Sequence, residues 1–157
     1  MKILVYVDTS VIGGCFDEEF EEWSILLFQE FLYGKKVMML SDLTLQELEL
    51  AKFKVREKVK EIPQNQISNI FVNDEVIHLA EKYIEGGALT IKSYNDTLHI
   101  ALATLNNADV LSSWNFKHIV NLDRIKLYNS INLRLGYKII EIRSPREILK
   151  IVKDGNN

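Results

Sequence analysis

Short apolar runs alternate along the chain with longer stretches in which apolar residues recur every three or four positions. Ile3-Leu4-Val5-Tyr6-Val7 and Val37-Met38-Met39-Leu40 lack polar alternation. Strands covered on both faces read this way, so residues 2–7 and 36–40 are expected to be buried parallel strands. Ile70-Phe71-Val72 reads as a short third strand, and residues 109–112 and 138–142 as two more. Helical periodicity fills the gaps. Phe20, Trp23, Leu27 and Phe31 share one face of a helix expected from Asp17 to Tyr33, and Gly34 stops it. Asp17, Glu18, Glu19, Glu21 and Glu22 crowd its first turns, at the positive end of the dipole. Ser41 or Asp42 caps a helix carrying Leu45, Glu47 and Leu48. A charged helix over 52–61 ends before Pro63. Asn73 caps a helix that turns Val76, Leu79, Ala80, Tyr83 and Ile84 inward and closes at Gly86-Gly87. Further helices are expected over 95–106 and 122–135, and Ser144-Pro145 opens a last one.

This alternation predicts an α/β fold with a mainly parallel sheet and right-handed crossovers. The 157 residues suit one domain, taken as 1–153 with a frayed tail at 154–157. The N-terminal apolar run is too short for a signal-peptide core or a membrane span. The single Cys15 excludes an internal disulfide framework and a Cys-rich zinc site, and suits a reducing cytoplasm. Charge alters the picture more than composition does. Residues 1–109 carry 10 basic and 18 acidic side chains, whereas residues 110–157 carry 9 and 4. A basic C-terminal third suits a polyanion, and an acidic remainder suits cations.

Ligands of open parallel sheets bind beyond the carboxyl ends of the strands, so the residues there matter most. Asp8-Thr9-Ser10 follows the first expected strand, and Glu47 lies about two helical turns after the second. Ser113-Trp114-Asn115-Phe116 follows the strand at 109–112, and the helix leading into that strand begins near Asp96. A parallel sheet therefore brings Asp8, Glu47, Asp96 and Asn115 toward one rim. Gathered carboxylates repel one another without a cation, and an oxygen-rich set suits Mg²⁺ or Mn²⁺. Such an ion polarises a phosphoryl oxygen and acidifies a bound water, which is the chemistry of phosphodiester hydrolysis without a covalent intermediate. Thr9, Ser10 and Ser113 are the hydroxyls at hand to orient a carboxylate or water. Each position also has a plainer account: Asp8 and Asp96 as helix caps, Glu47 as a solvated side chain, Asn115 as turn material. Rival motifs fail. Gly13-Gly14 lacks the GK[ST] ending of a phosphate loop, and no G-x-S-x-G elbow occurs. Cys15 reads as a small buried hydrophobe. His78, His99 and His118 lack metal-ligand spacing, and His99 is expected to pair with Asp96 on a helix surface.

Four segments resemble a known family. Val5-Tyr6-Val7-Asp8-Thr9-Ser10-Val11-Ile12 resembles the opening of PIN-domain ribonucleases. Leu45-Gln46-Glu47-Leu48 is similar to their second acidic element, residues 96–103 to the third, and residues 113–119 to the region of the fourth. They follow in order over about residues 3–150. The resemblance implies a three-layer α/β/α sandwich with a five-stranded parallel sheet in the order 3-2-1-4-5, and a divalent-metal-dependent endoribonuclease. The group it most resembles is the VapC-type toxins of type II toxin–antitoxin systems, which implies RNA as substrate, a homodimer and a cognate antitoxin. Asp8, Glu47 and Asp96 match the three metal-site acids. Asn115 stands where the family often has aspartate; its neutral amide would hold a second metal weakly, leaving one metal with Asn115 holding a water. The basic third, with Lys117, Arg124, Lys126, Arg134, Arg143 and Arg146, is the expected source of RNA contacts. The alternative is the same fold with a weakened site, binding RNA or a protein without cutting. A phosphoaspartate phosphatase is disfavoured, because Thr9-Ser10-Val11 lacks a second aspartate two residues after Asp8.

Overall fold

A computed structural model describes residues 2–155. Five strands form one sheet: β1 (Leu4–Val7), β2 (Val37–Ser41), β3 (Ile67–Ile70), β4 (Val110–Ser112) and β5 (Ile142–Arg143). All neighbours pair in parallel and the order is 3-2-1-4-5. Among the described residues eight α-helices connect and cover them: α1 (Thr9–Gly14), α2 (Glu21–Leu32), α3 (Asp42–Leu48), α4 (Phe53–Lys58), α5 (Asp74–Glu85), α6 (Tyr94–Leu105), α7 (Leu122–Arg134) and α8 (Pro145–Gly155).

The period of two along β1 divides the core. Tyr6 joins Met39, Leu111 and the inner faces of α5, α6 and α7. Val5 and Val7 join Met38, Leu40, α1, α2 and Ile148 of α8 on the opposite face. The three layers follow from that division, and β1 is central because both its faces are apolar. Helix α6 carries an unbroken buried stretch from Thr97 to Thr104, which is why its pattern lacks a polar face.

Several expected boundaries moved. The third strand lies at Ile67–Ile70 rather than 70–72, and Phe71 is exposed just beyond it. The helix expected from Asp17 begins at Glu21, with hydrogen-bonded turns over 17–20. The helix expected over 52–61 is α4 followed by a 3-10 turn over Val59–Glu61. The strand expected over 138–142 is reduced to Ile142–Arg143, although Glu141 O still accepts from Leu111 N. The backbone groups of Ile140, which face away from β4, are taken by the side-chain amide of Asn129. Asn129 Nδ2 donates to Ile140 O at 3.1 Å, and Ile140 N donates to Asn129 Oδ1 at 2.8 Å. Helix α8 runs to Gly155, and residues 156–157 of the expected tail lie outside the described residues.

Helix α1 has no counterpart in the sequence reading. It is six residues long and contains Gly13 and Gly14. Gly14 is there for close packing: a Cβ on it would lie 2.5 Å from Ser24 Oγ and 2.7 Å from Trp114 Nε1. Cys15 is buried, and burial pushes its thiol up to about 12. Among the described residues, no helix is long and apolar enough to cross a membrane.

Candidate active site

Asp8 leaves β1 and caps α1. Its Oδ1 accepts from Val11 N at 3.2 Å and from Ser10 Oγ at 2.6 Å. Ser113, just past β4, donates its hydroxyl to Asp8 Oδ2 at 2.5 Å. Only 5% of Asp8 is exposed. Burial raises its carboxyl above the ordinary range, and nearby His99 and the three hydrogen bonds offset part of that. The cap reading and the site reading of Asp8 are therefore compatible: one carboxylate closes a helix and sits at the carboxyl end of the central strand.

Glu47 lies at the end of α3 and is partly exposed. Thr9 Oγ1 donates to Glu47 Oε1 at 2.6 Å, and His99 Nε2 lies 2.8 Å from the same oxygen. Both bonds fall on Oε1, which leaves Oε2 for another ligand. Burial raises the Glu47 carboxyl, but the His99 bond and charge and the Thr9 bond reverse this, and the net displacement is downward. An ionised carboxylate only accepts, so Nε2 of His99 carries a proton. Nδ1 of that ring lies 2.6 Å from Tyr6 Oη. Tyr6 Oη is 2.9 Å from Ser41 Oγ, which donates to Thr44 Oγ1, and Thr44 Oγ1 donates to Val7 O. A buried polar chain thus runs from Glu47 through His99 into the centre of the sheet. The surface pair expected between His99 and Asp96 is not formed: His99 is 3% exposed and faces Glu47 instead.

Asp96 sits in the first turn of α6, and its partner is His118. His118 Nδ1 lies 3.1 Å from Asp96 Oδ2 and 3.3 Å from Ser93 Oγ. Asn115 governs this loop from behind. Its Oδ1 accepts from the backbone N–H of His118 at 2.9 Å and of Lys117 at 3.2 Å. Asn115 N in turn donates to Ser113 Oγ at 2.9 Å. The Asn115 side-chain oxygen is committed to shaping the loop that holds His118 against Asp96. Asn115→Asp keeps an acceptor for both amides, so thermal stability should barely change. Asn115→Ala removes it and should cost about 1 kcal/mol in a denaturant melt. Equal losses in both variants would detach the side chain from the turn.

Thr9, next to Asp8 in the chain, and His99 thus hold Glu47, while His118 holds Asp96. The donor chemistry suits a hard divalent ion, since three carboxylates supply the oxygens. As the side chains stand, no three of the His, Cys, Asp and Glu groups among the described residues lie within reach of one ion. His99 and His118 escaped the sequence reading because their partners lie 52 and 22 residues away. Of the basic residues expected to meet RNA, Arg124 is already tied down, with Nη1 donating to Ala88 O at 2.6 Å. Arg143 pairs with Glu141 at 3.0 Å.

No protein-family model matches the sequence, and no curated protein does. Solved structures do match the fold. VapC20 of Mycobacterium tuberculosis, a sarcin–ricin loop cleaving toxin, is 14% identical, with a TM-score of 0.54 over 73% of this chain and 92% of its own. VapBC2 of Rickettsia felis, bound to a DNA fragment from its promoter, is 16% identical, with a TM-score of 0.56 over 90% and 98%. FitAcB of Neisseria gonorrhoeae is 13% identical, with a TM-score of 0.56 over 90% and 97%. At such identities the likeness is one of architecture: the chain has the PIN fold found in the VapC and FitB toxins.

Proposed function

We propose that the chain is a divalent-metal-dependent endoribonuclease that hydrolyses RNA phosphodiester bonds, acting in the cytoplasm as a dimeric toxin restrained by a cognate antitoxin. The observation that carries this reading is Asp8. It is a buried carboxylate at the carboxyl end of the central strand, and among the described residues no lysine or arginine pairs with it. Its hydrogen bonds and His99 offset only part of the cost of burying that charge, and a bound cation would offset the rest.

In this reading Asp8, Glu47 and Asp96 hold Mg²⁺ or Mn²⁺, which supplies Lewis-acid polarisation of a phosphoryl oxygen. The chain's own groups do the positioning. Ser10 and Ser113 fix the two oxygens of Asp8. Thr9 and His99 hold Oε1 of Glu47 and so present Oε2 to the rim. His118 orients Asp96, with Asn115 behind it. Ligand carboxylates held by outer hydrogen bonds in this way are the usual architecture of a metal site. That no three such side chains among the described residues lie within reach of one ion favours a second reading, a PIN-fold module that binds RNA or protein without cutting.

Calorimetric titration of Mn²⁺ decides between them when joined to an RNA cleavage assay. The wild type should bind Mn²⁺ and cut a mixed RNA pool. The double variant Asp8→Asn/Asp96→Asn should do neither. Equal Mn²⁺ binding by both proteins would end the metal-site assignment.

A further inference from the structure

Both tryptophans of the chain, Trp23 and Trp114, line one groove that is connected to Asp8 through Ser10 and has no part in the positioning of the carboxylates. The groove encloses about 340 Å³ between Phe20, Trp23, Trp114 and Phe116, with Glu19 and Arg146 at its edges. The Trp114 ring stacks on Phe20 with centroids 4.3 Å apart and planes 18° from parallel. Phe116 leans toward both rings at 6.1 and 6.4 Å and is 50% exposed. The Arg146 guanidinium lies 5.9 Å from the centre of the Trp23 ring.

The groove is rigidly joined to the carboxylate. Trp114 Nε1 donates to Ser24 Oγ at 2.8 Å, and Trp114 N donates to Ser10 Oγ at 2.9 Å. Ser10 is the same hydroxyl that bonds Asp8. Trp114, 8% exposed beneath Phe20, forms the floor. The half-exposed Phe116 ring offers a flat face with the partly exposed Trp23 and its guanidinium beside it, which is what unpaired bases stack on. The volume falls within the range of about 300–1,000 Å³ typical of small-molecule sites. We propose that this groove is a base-stacking subsite for one unpaired nucleotide of single-stranded RNA, next to the phosphodiester at Asp8. The proposal rests on the nuclease reading for its choice of ligand.

Charge fixes the direction of entry. Asp17, Glu18, Glu19, Glu21 and Glu22 are all exposed at the α2 side, and among the described residues none of them is in an ion pair. They repel phosphate. The sugar–phosphate chain therefore passes beside Arg146 and away from these acids.

Because both tryptophans line the groove, intrinsic fluorescence reports on it directly and needs no cleavage. A six-nucleotide single-stranded RNA titrated into the full chain in EDTA should give saturable quenching. Phe116→Ala should weaken that binding about fivefold to a hundredfold, the effect of losing one stacked base, and Phe116→Tyr should restore it. Arg146→Gln should weaken it too and reduce the slope of log K against log salt by about 0.7. A duplex of the same sequence should not quench. The proposal is overturned if single-stranded RNA gives no saturable quenching, or if Phe116→Ala binds as tightly as wild type. An arginine-bearing peptide that quenches where RNA does not also overturns it, and assigns the groove to a protein partner. Cleavage with Mn²⁺ but no quenching removes the subsite and leaves the nuclease. Quenching without cleavage supports the subsite and removes the nuclease.

Discussion

Asp8→Asn should abolish RNA cleavage while making the metal-free protein harder to melt. Asparagine preserves the local structure, since it caps helices about as well as aspartate and still accepts from Ser10 and Val11. The charge goes, and with it the acceptor that Ser113 uses on Oδ2, where the asparagine amide donates to Ser113 Oγ instead. The loss of activity should exceed the about 10–100-fold that removal of an outer partner costs a metal site. The stability gain follows from the raised carboxyl of Asp8. A carboxyl raised in the folded state favours folding below the ordinary value of about 4, and that contribution is lost as pH rises through the folded value. At neutral pH the buried charge therefore opposes folding, and Asn relieves it. Scanning calorimetry in EDTA should show a higher Tm for Asp8→Asn at pH 7, with the difference shrinking as the pH approaches 4. A lower Tm for the variant at pH 7 would contradict the burial argument. Unchanged cleavage would contradict the role in catalysis.

His99→Leu should have the second largest effect, and on both stability and activity. It leaves Glu47 Oε1 with Thr9 alone, and Tyr6 Oη with Ser41 alone, inside the sheet. Buried polar groups stripped of a partner cost about 1–3 kcal/mol. The Glu47 carboxyl, held low chiefly by the His99 bond and charge against burial, should move up. A lowered acid stabilises the fold above its unfolded value and loses that contribution as pH falls through the folded value. The wild-type advantage over His99→Leu should therefore be present at pH 7 and decline below the ordinary Glu value of about 4.3. The acidic limb of the pH–rate profile should shift upward in the variant. His99→Gln, which keeps a donor for Glu47, should recover part of both effects. A pH–rate profile that stays in place while stability falls would reduce His99 to a packing residue.

The sequence made the architecture legible because strands and helices announce themselves locally. The apolar run at 3–7, the Asn73 cap and the Gly136 stop all fall where the chain uses them. Short elements were read less well. Helix α1 is too brief for periodicity to register, and β5 is only two residues long. The acids at 8, 47 and 96 stood out because strand ends confine them to one edge. What spacing could not reveal was who holds each of them. His99 belongs to Glu47 and His118 to Asp96 through contacts that exist only once the chain is folded.

The clasp that Asn129 places on Ile140 also bears on self-association. Along this margin of the sheet, Glu141 and Arg143 direct their carbonyls to β4, so Ile140 and Ile142 direct their backbone groups outward. An extended segment from another molecule needs a row of open amides and carbonyls to add itself as a sixth strand. At Ile140 both are already engaged, and only Ile142 is left to offer a pair. Asn129→Ala would reopen the row by freeing the amide and carbonyl of Ile140 beside the exposed Ile139. Fibril-type aggregation, followed by light scattering during refolding, should then set in at lower protein concentration than for wild type.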